Sequence, residues 1–233
     1  MLFNCPLGEE KARALVEVLD LAPGSRVLDI GCGDGEFLRR VHARWGGDCL
    51  GIDLDDAAIA RASAVSGDAG PRFEVGDAGK LPVAAELDLA ICIGSTHAFG
   101  SGRQAFAGAL AAMPRMLRPG GQLLLGEGYW QRDPEQAYLD FIGEPVGVYN
   151  SHEENLQQAE AAGLVPLYAA TSTREEWDHF EWCFRLRAER AARAAPQDEA
   201  AVARRDRVRQ WNHFYRAYGC STMGFGFYLF TQS

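Results

Sequence analysis

The chain has 233 residues, 47% hydrophobic and 24% charged, with a formal net charge of −9. That length suits one α/β domain with a sizeable core and is short for two large domains. The acidic balance argues against a nucleic-acid partner, and no apolar run approaches the roughly 20 residues of a membrane span.

The opening stretch, MLFNCPLGEEKARALVEVL, interleaves charge with apolar side chains and lacks a secretory pattern. Six scattered cysteines (5, 32, 49, 92, 183 and 220) form no close pair, so free thiols in a reducing cytoplasm are expected, with no metal site. Residues 7–19 read as an amphipathic helix, and Pro23-Gly24 turns into a strand over 26–30. That strand runs into VLDIGCGDGEFL (27–38), where Gly31, Gly33 and Gly35 alternate before a helix over 36–45. Strand, glycine turn and helix together let a ligand press against bare backbone N–H groups. Strands follow at 48–53, 72–75, 87–93 and 121–127. A helix over 103–117 carries Phe106, Leu110, Met113 and Leu117 at helical spacing, with Pro114 as a kink or last turn.

Beyond these, Ser151 to Glu154 forms a capping box for a helix ending near Ala162, and Gly163 closes it. Strands are expected over 164–170 and 224–230, with about 50 residues between them. There, Trp177, Phe180 and Phe184 share one helical face, and Trp211, Phe214, Tyr215 and Tyr218 share another, with Pro196 between. We read a single domain, 1–233, with a helical insertion over 173–218. Half of the aromatic residues fall within 173–230. The insertion packs on the sheet, caps a pocket, or does both. The alternation of elements predicts a mostly parallel sheet with helices on both faces and ligands at the carboxyl ends of the strands.

The motifs resemble those of the class I S-adenosylmethionine-dependent methyltransferases. VLDIGCGDGEFL matches their first motif, GIDL (51–54) the second, FEVGDA (73–78) the third and LDLAICIGSTHAFG (87–100) the fourth. MLRPGGQLLLGE (116–127) matches the approach to strand five. The resemblance implies a Rossmann-like seven-stranded sheet and S-adenosyl-L-methionine as cofactor. It places Asp29, Gly31, Cys32, Gly33 and Gly35 at the methionine part, Asp53 at the ribose hydroxyls, and Leu54, Asp77 and Ala78 at the adenine. Ile93 and Gly94 would flank the reactive methyl. In the family, strands six and seven often form a near-direct hairpin, so the insertion is a departure.

Catalytic groups leave a fainter trace, because the sulfonium already activates the methyl group and the enzyme need only align a nucleophile behind it. His97, after strand four, is a candidate general base, a structural hydrogen-bonder or a cofactor contact. Glu127 and Tyr129 leave strand five in GEGYW (126–130) and are candidates for facing the acceptor. Tyr149, His152, Trp177 and Trp211 are candidate acceptor-binding residues, the last two within the cap. Phe3, Asn4 and Pro6 are candidates for folding over the cofactor.

No NPPY-like sequence or Pro-Cys pair follows strand four, which speaks against methylation of DNA bases, and the acid and Asn ligands of magnesium-dependent catechol-type enzymes are not evident. The reading is methyl transfer to a small-molecule N or O nucleophile. The alternatives keep the cofactor with other chemistry: aminopropyl transfer, cyclisation, or a non-catalytic binding subunit. A dinucleotide oxidoreductase is disfavoured by G-x-G-x-G in place of G-x-G-x-x-G. No feature of the sequence sets an oligomeric state.

Overall fold

The computed structural model describes residues 2–81 and 85–232. Its elements are α1 (Glu9–Glu17), β1 (Arg26–Ile30), α2 (Glu36–Trp45), β2 (Asp48–Asp53), α3 (Asp56–Ser66), β3 (Arg72–Val75), β4 (Leu87–Ile93) and α4 (Arg103–Ala112). They continue as β5 (Leu117–Trp130), α5 (Gln136–Ile142), α6 (His152–Ala161), β6 (Leu164–Thr171), α7 (Arg174–Ala194), α8 (Glu199–Phe214) and β7 (Met223–Gln232). One seven-stranded sheet runs in the order β3-β2-β1-β4-β5-β7-β6, with β7 antiparallel to both neighbours. The sheet is Rossmann-like, as the motifs imply. Strand order reverses between β1 and β4, and that switch opens a crevice at the carboxyl ends of the strands.

Burial on both faces explains why the central strands are almost wholly apolar. On one face Leu15, Phe37, Leu38 and Val41 pack with Leu89, Ile91 and Phe227. On the other, Phe106, Leu110 and Met113 pack with Leu123, Leu125, Tyr228 and Phe230. Successive residues of β7 thus enter opposite cores, the period of two that a strand imposes.

Two boundaries differ from the sequence reading. The helix expected over 103–117 stops at Ala112, and Met113–Met116 forms a 3-10 turn with Pro114 in its first residues. Proline cannot donate to the carbonyl four residues back, so the α-helix ends there. β5 then begins at Leu117 and reaches Trp130, well beyond 121–127 at both ends.

The insertion is a pair of antiparallel helices. Thr173 and Glu176 form a capping box at the start of α7. Glu176 also accepts the Gly8 N–H at 3.0 Å and pairs with Lys11, which ties α7 to the start of α1. Across the hairpin, Arg209 bonds Glu189 at 2.8 Å, Trp211 Nε1 donates to Glu181 at 3.2 Å, and Tyr215 donates to Asp178 at 2.7 Å. A π-helical turn, Tyr215–Gly219, leads from α8 towards β7. At the hairpin's base Phe214 stacks on Phe141, with centroids 3.8 Å apart.

Asn212 is fully buried in α8, and neither its amide oxygen nor its nitrogen has a partner among the described residues. An unsatisfied buried amide costs roughly 1–3 kcal/mol. Asn212→Leu is therefore expected to raise the melting temperature by a few degrees in calorimetry. A fall would mean that the amide is partnered in solution.

Candidate active site

The turn after β1 is built by its glycines. Gly31, Gly33 and Gly35 have φ of 71°, 54° and 74°, a region that side chains with a Cβ adopt only at a cost. Gly31 has a second reason, since a Cβ there would lie 2.1 Å from Ser95 Oγ. The Gly31 and Cys32 N–H groups donate to the Ile52 carbonyl at 2.8 and 3.0 Å, and Gly33 N–H donates to Asp53 Oδ2 at 2.8 Å. The other Asp53 oxygen accepts the Asp55 N–H at 2.9 Å. One carboxylate thereby joins the end of β2 to the glycine turn and to the start of α3.

Around this turn lies a pocket of about 560 Å³, reached by the ends of β1, β2, β3 and β4. Of the residues singled out in the sequence, it brings together Asp29, Gly31, Cys32, Gly33, Gly35, Asp53, Leu54, Asp77, Ala78, Ile93, Gly94 and His97. Phe3, Asn4 and Cys5, ahead of α1, line it as well, while Pro6 does not. Leu54 stands 73% exposed at its edge, an apolar side chain beside a concave polar surface. Asp77 accepts the Gly79 N–H at 2.9 Å and pairs with Lys80, which keeps its pKa below the ordinary carboxylate range.

Asp29 is the unusual group. It is 4% exposed and accepts no hydrogen bond from any described residue. Burial, with the Asp53 charge nearby, pushes its carboxyl up to about 7. Its other titratable neighbours are Cys5, Cys32, Cys49 and Cys92, whose thiols burial holds well above the ordinary range. A buried carboxylate without a partner is costly unless a cation meets it.

The remaining sequence candidates lie off the pocket lining. Glu127 and Tyr129 follow Leu123 and Leu125 at the strand period, so their side chains share the face of that core. Glu127 accepts the Thr96 hydroxyl and, at 2.8 Å, the Gly128 N–H, and burial raises its pKa against both bonds. It thereby braces the loop that carries Ser95 and His97. Tyr129 is buried, with its ring filling the space a Cβ on Gly224 would need. His152 Nδ1 lies 3.0 Å from the hydroxyl of the fully buried Tyr228, in a network completed by Asn155. Tyr149 packs edge-on against Trp130, 5.2 Å between centroids. Trp177 stacks on Tyr215 with its indole N–H buried and unpaired, and Trp211 is 45% exposed on the hairpin.

Comparison with known proteins fits this geometry. A methyltransferase-domain family model matches residues 27–121. A methyltransferase of Geobacter sulfurreducens, solved with S-adenosylhomocysteine, superposes with a TM-score of 0.90 at 27% identity, covering 100% of this chain and 94% of that one. The chain shares the fold and motifs of the class I S-adenosylmethionine-dependent methyltransferases. YjhP of Escherichia coli is 29% identical over 237 aligned residues, 95% of this chain and 90% of YjhP, and its X-ray structure gives a TM-score of 0.89. A 27-O-demethylrifamycin SV methyltransferase of Amycolatopsis mediterranei is 31% identical over 176 residues, 70% of this chain and 63% of that enzyme.

Two of the similar structures hold S-adenosylhomocysteine, and S-adenosylmethionine is the cofactor of this chain. The residues present fit it: a glycine turn without side chains, a carboxylate at the end of β2, and an unpartnered buried carboxylate beside them. The sequence reading missed other parts of the lining. Arg61 spans to Asp34 at 2.9 Å on the rim, and Arg187 reaches the pocket from α7. Neither sits in a motif, and only tertiary contact reveals them.

Two outcomes follow for binding. Because burial pushes the Asp29 carboxyl up to about 7, its ionised fraction grows across neutrality, and a cationic ligand gains its partner as pH rises. Affinity for S-adenosylhomocysteine is expected to rise between pH 6 and 8 in calorimetry, and Asp29→Asn to flatten that rise. In the ligand-free protein the sign is opposite: the raised pKa favours the folded state at low pH, a contribution lost as pH climbs from about 4 to 7. Asp53→Ala is expected to weaken the same ligand about ten- to a hundredfold, since a hydrogen bond to a charged group is worth roughly 1.5–3 kcal/mol. Unchanged affinity in the folded variant would remove Asp53 from the site.

Proposed function

We propose that the protein transfers a methyl group to a nitrogen or oxygen nucleophile of a small molecule. The observation that carries this reading is the reach of the pocket. It runs from the adenine-side residues Leu54, Asp77 and Ala78, past Asp29 and the glycine turn, to Ile93, Gly94, Ser95 and His97 after β4. Bound there, S-adenosylmethionine supplies a methyl group on a sulfonium, open to in-line displacement.

In this reading Asp53 takes the ribose hydroxyls through the lone pairs its backbone bonds leave free. Leu54, Asp77 and Ala78 border the adenine. Asp29, Gly31, Cys32, Gly33 and Gly35 hold the methionine part, with the Cys32 thiol protonated and unreactive. Ile93 and Gly94 shape the wall beside the methyl, backed by the Phe225 ring, 3.8 Å from where a Cβ on Gly94 would lie. His97, exposed on its 3-10 turn, accepts the proton that the acceptor loses. Glu127 acts through Thr96, keeping that turn at the pocket, and is a positioning residue. Tyr129, Tyr149 and His152 support the adjoining loops. Trp177 and Trp211 belong to a cap over the acceptor end. The net charge of −9 disfavours a nucleic-acid acceptor.

The test is incubation with S-adenosylmethionine and a metabolite panel, followed by identification of the sulfur product. S-adenosylhomocysteine is expected. Methylthioadenosine would mean that the aminocarboxypropyl group, and not the methyl group, leaves the sulfonium, and would end this reading. With an acceptor in hand, His97→Gln is expected to lower turnover at least tenfold while affinity for S-adenosylhomocysteine stays within about twofold. Turnover that survives the substitution would leave His97 without a proton-transfer role. Glu127→Ala, which orphans the Thr96 hydroxyl and the Gly128 N–H, is expected to cost about 1–3 kcal/mol, a few degrees in melting temperature.

A further inference from the structure

Most charged side chains that line the pocket already have partners in the protein. Arg61 pairs with Asp34 at 2.9 Å, Glu36 with Arg39 at 3.0 Å and Arg40 at 2.8 Å, and Asp77 with Lys80 at 3.2 Å. Asp53 holds the N–H groups of Gly33 and Asp55, and Asp55 caps α3 through the N–H groups of Ala57 and Ala58. Besides His97, two charged groups on the lining have no partner among the described residues. They are the carboxyl of Asp29 and the guanidinium of Arg187. One free negative and one free positive site in a single pocket match a zwitterion.

The course of α7 puts Arg187 at the methionine end of the pocket. Glu176 clamps α7 to Gly8 and Lys11, and Arg187 lies 11 residues further on, about 16 Å along the axis. Between them His179 and Phe180 line a second groove with Leu2 and Phe3, and Arg187 lines the main pocket with the same two residues. Phe3 in turn packs with Phe37 and Leu38 of α2, under the Arg40 guanidinium at 5.1 Å. The start of α2 has no side-chain cap, and Gly35, Glu36 and Phe37 line the pocket there. A helix N-terminus favours an anion, and the arginine fork suits a carboxylate.

We propose that Arg187 receives the carboxylate of the cofactor's methionine part, opposite the Asp29 site for its ammonium. The inference rests on the cofactor alone and stands whatever the acceptor or the reaction. It gives the insertion a task that its length alone does not suggest. Through Arg187 of α7 the insertion becomes part of the cofactor site.

The experiment is calorimetry of wild type and Arg187→Met with two probes: S-adenosylhomocysteine, which has the amino-acid part, and methylthioadenosine, which lacks it. Arg187 is exposed and makes no hydrogen bond to any described residue, so the substitution should leave the melting temperature unchanged. The expected result is a loss of about ten- to thirtyfold for S-adenosylhomocysteine, the scale of a charge-assisted pair, with methylthioadenosine within twofold of wild type and Arg187→Lys recovering part of the loss. Equal weakening of both probes would assign the effect to pocket shape and overturn the proposal. Undiminished binding of S-adenosylhomocysteine would also overturn it, leaving any carboxylate at Arg187 to the acceptor.

Discussion

The bare-backbone turn between β1 and α2 is the constraint on which the rest of the site depends. Its glycines hold a left-handed backbone that costs an ordinary residue roughly 1–2 kcal/mol at each position. The chain is crowded from outside as well: a Cβ on Gly31 would strike Ser95, and one on Gly35 would lie 2.4 Å from the Phe73 ring. The turn can therefore touch the ends of β2, β3 and β4 at once. Backbone bonds to Ile52 and the Asp53 carboxylate lock it there. A preformed cradle of this kind lowers the ordering cost that ligand binding must meet.

Charge in the pocket follows a division of labour. Most acidic groups on its lining are used up by guanidinium or backbone partners, so their fields are locally balanced. Asp29 departs from this, buried near the carboxyl end of β1 and without a partner among the described residues. Its environment destabilises the ligand-free protein in order to favour a cation, the pattern by which a binding site departs from a stability optimum.

The helical hairpin is fastened at its base and loosely along its length. The Arg209–Glu189 pair is exposed on the arginine side, and pairs of that kind contribute about 0–1 kcal/mol. The stacked Phe141 and Phe214 rings, the Tyr138 and Tyr218 rings, and the Glu176 clamp bury far more. Close beside these contacts, Asn212 and the Trp177 N–H leave buried polar atoms without a partner among the described residues.

Motif and period alone were enough for the alternation of strands and helices, the glycine turn, the acid after β2, the capping box at Ser151 and the helical character of 173–218. Each is a local property, set by backbone conformation or by side-chain spacing within one element. The helix end at Ala112 was misread because apolar spacing continued through Pro114, where the missing N–H stops the α-helix. Which face of β5 Glu127 and Tyr129 occupy, and that His152 serves Tyr228, depend on what lies across the sheet. The partnering of charges is the clearest case. Asp29 and Arg187 are 158 positions apart in the chain; the motif marks Asp29, but nothing local distinguishes Arg187 from the paired arginines around it. Tertiary structure alone decides which charges neutralise one another and which are left for a ligand, because Coulomb energy depends on distance and burial, and neither is written in the order of residues.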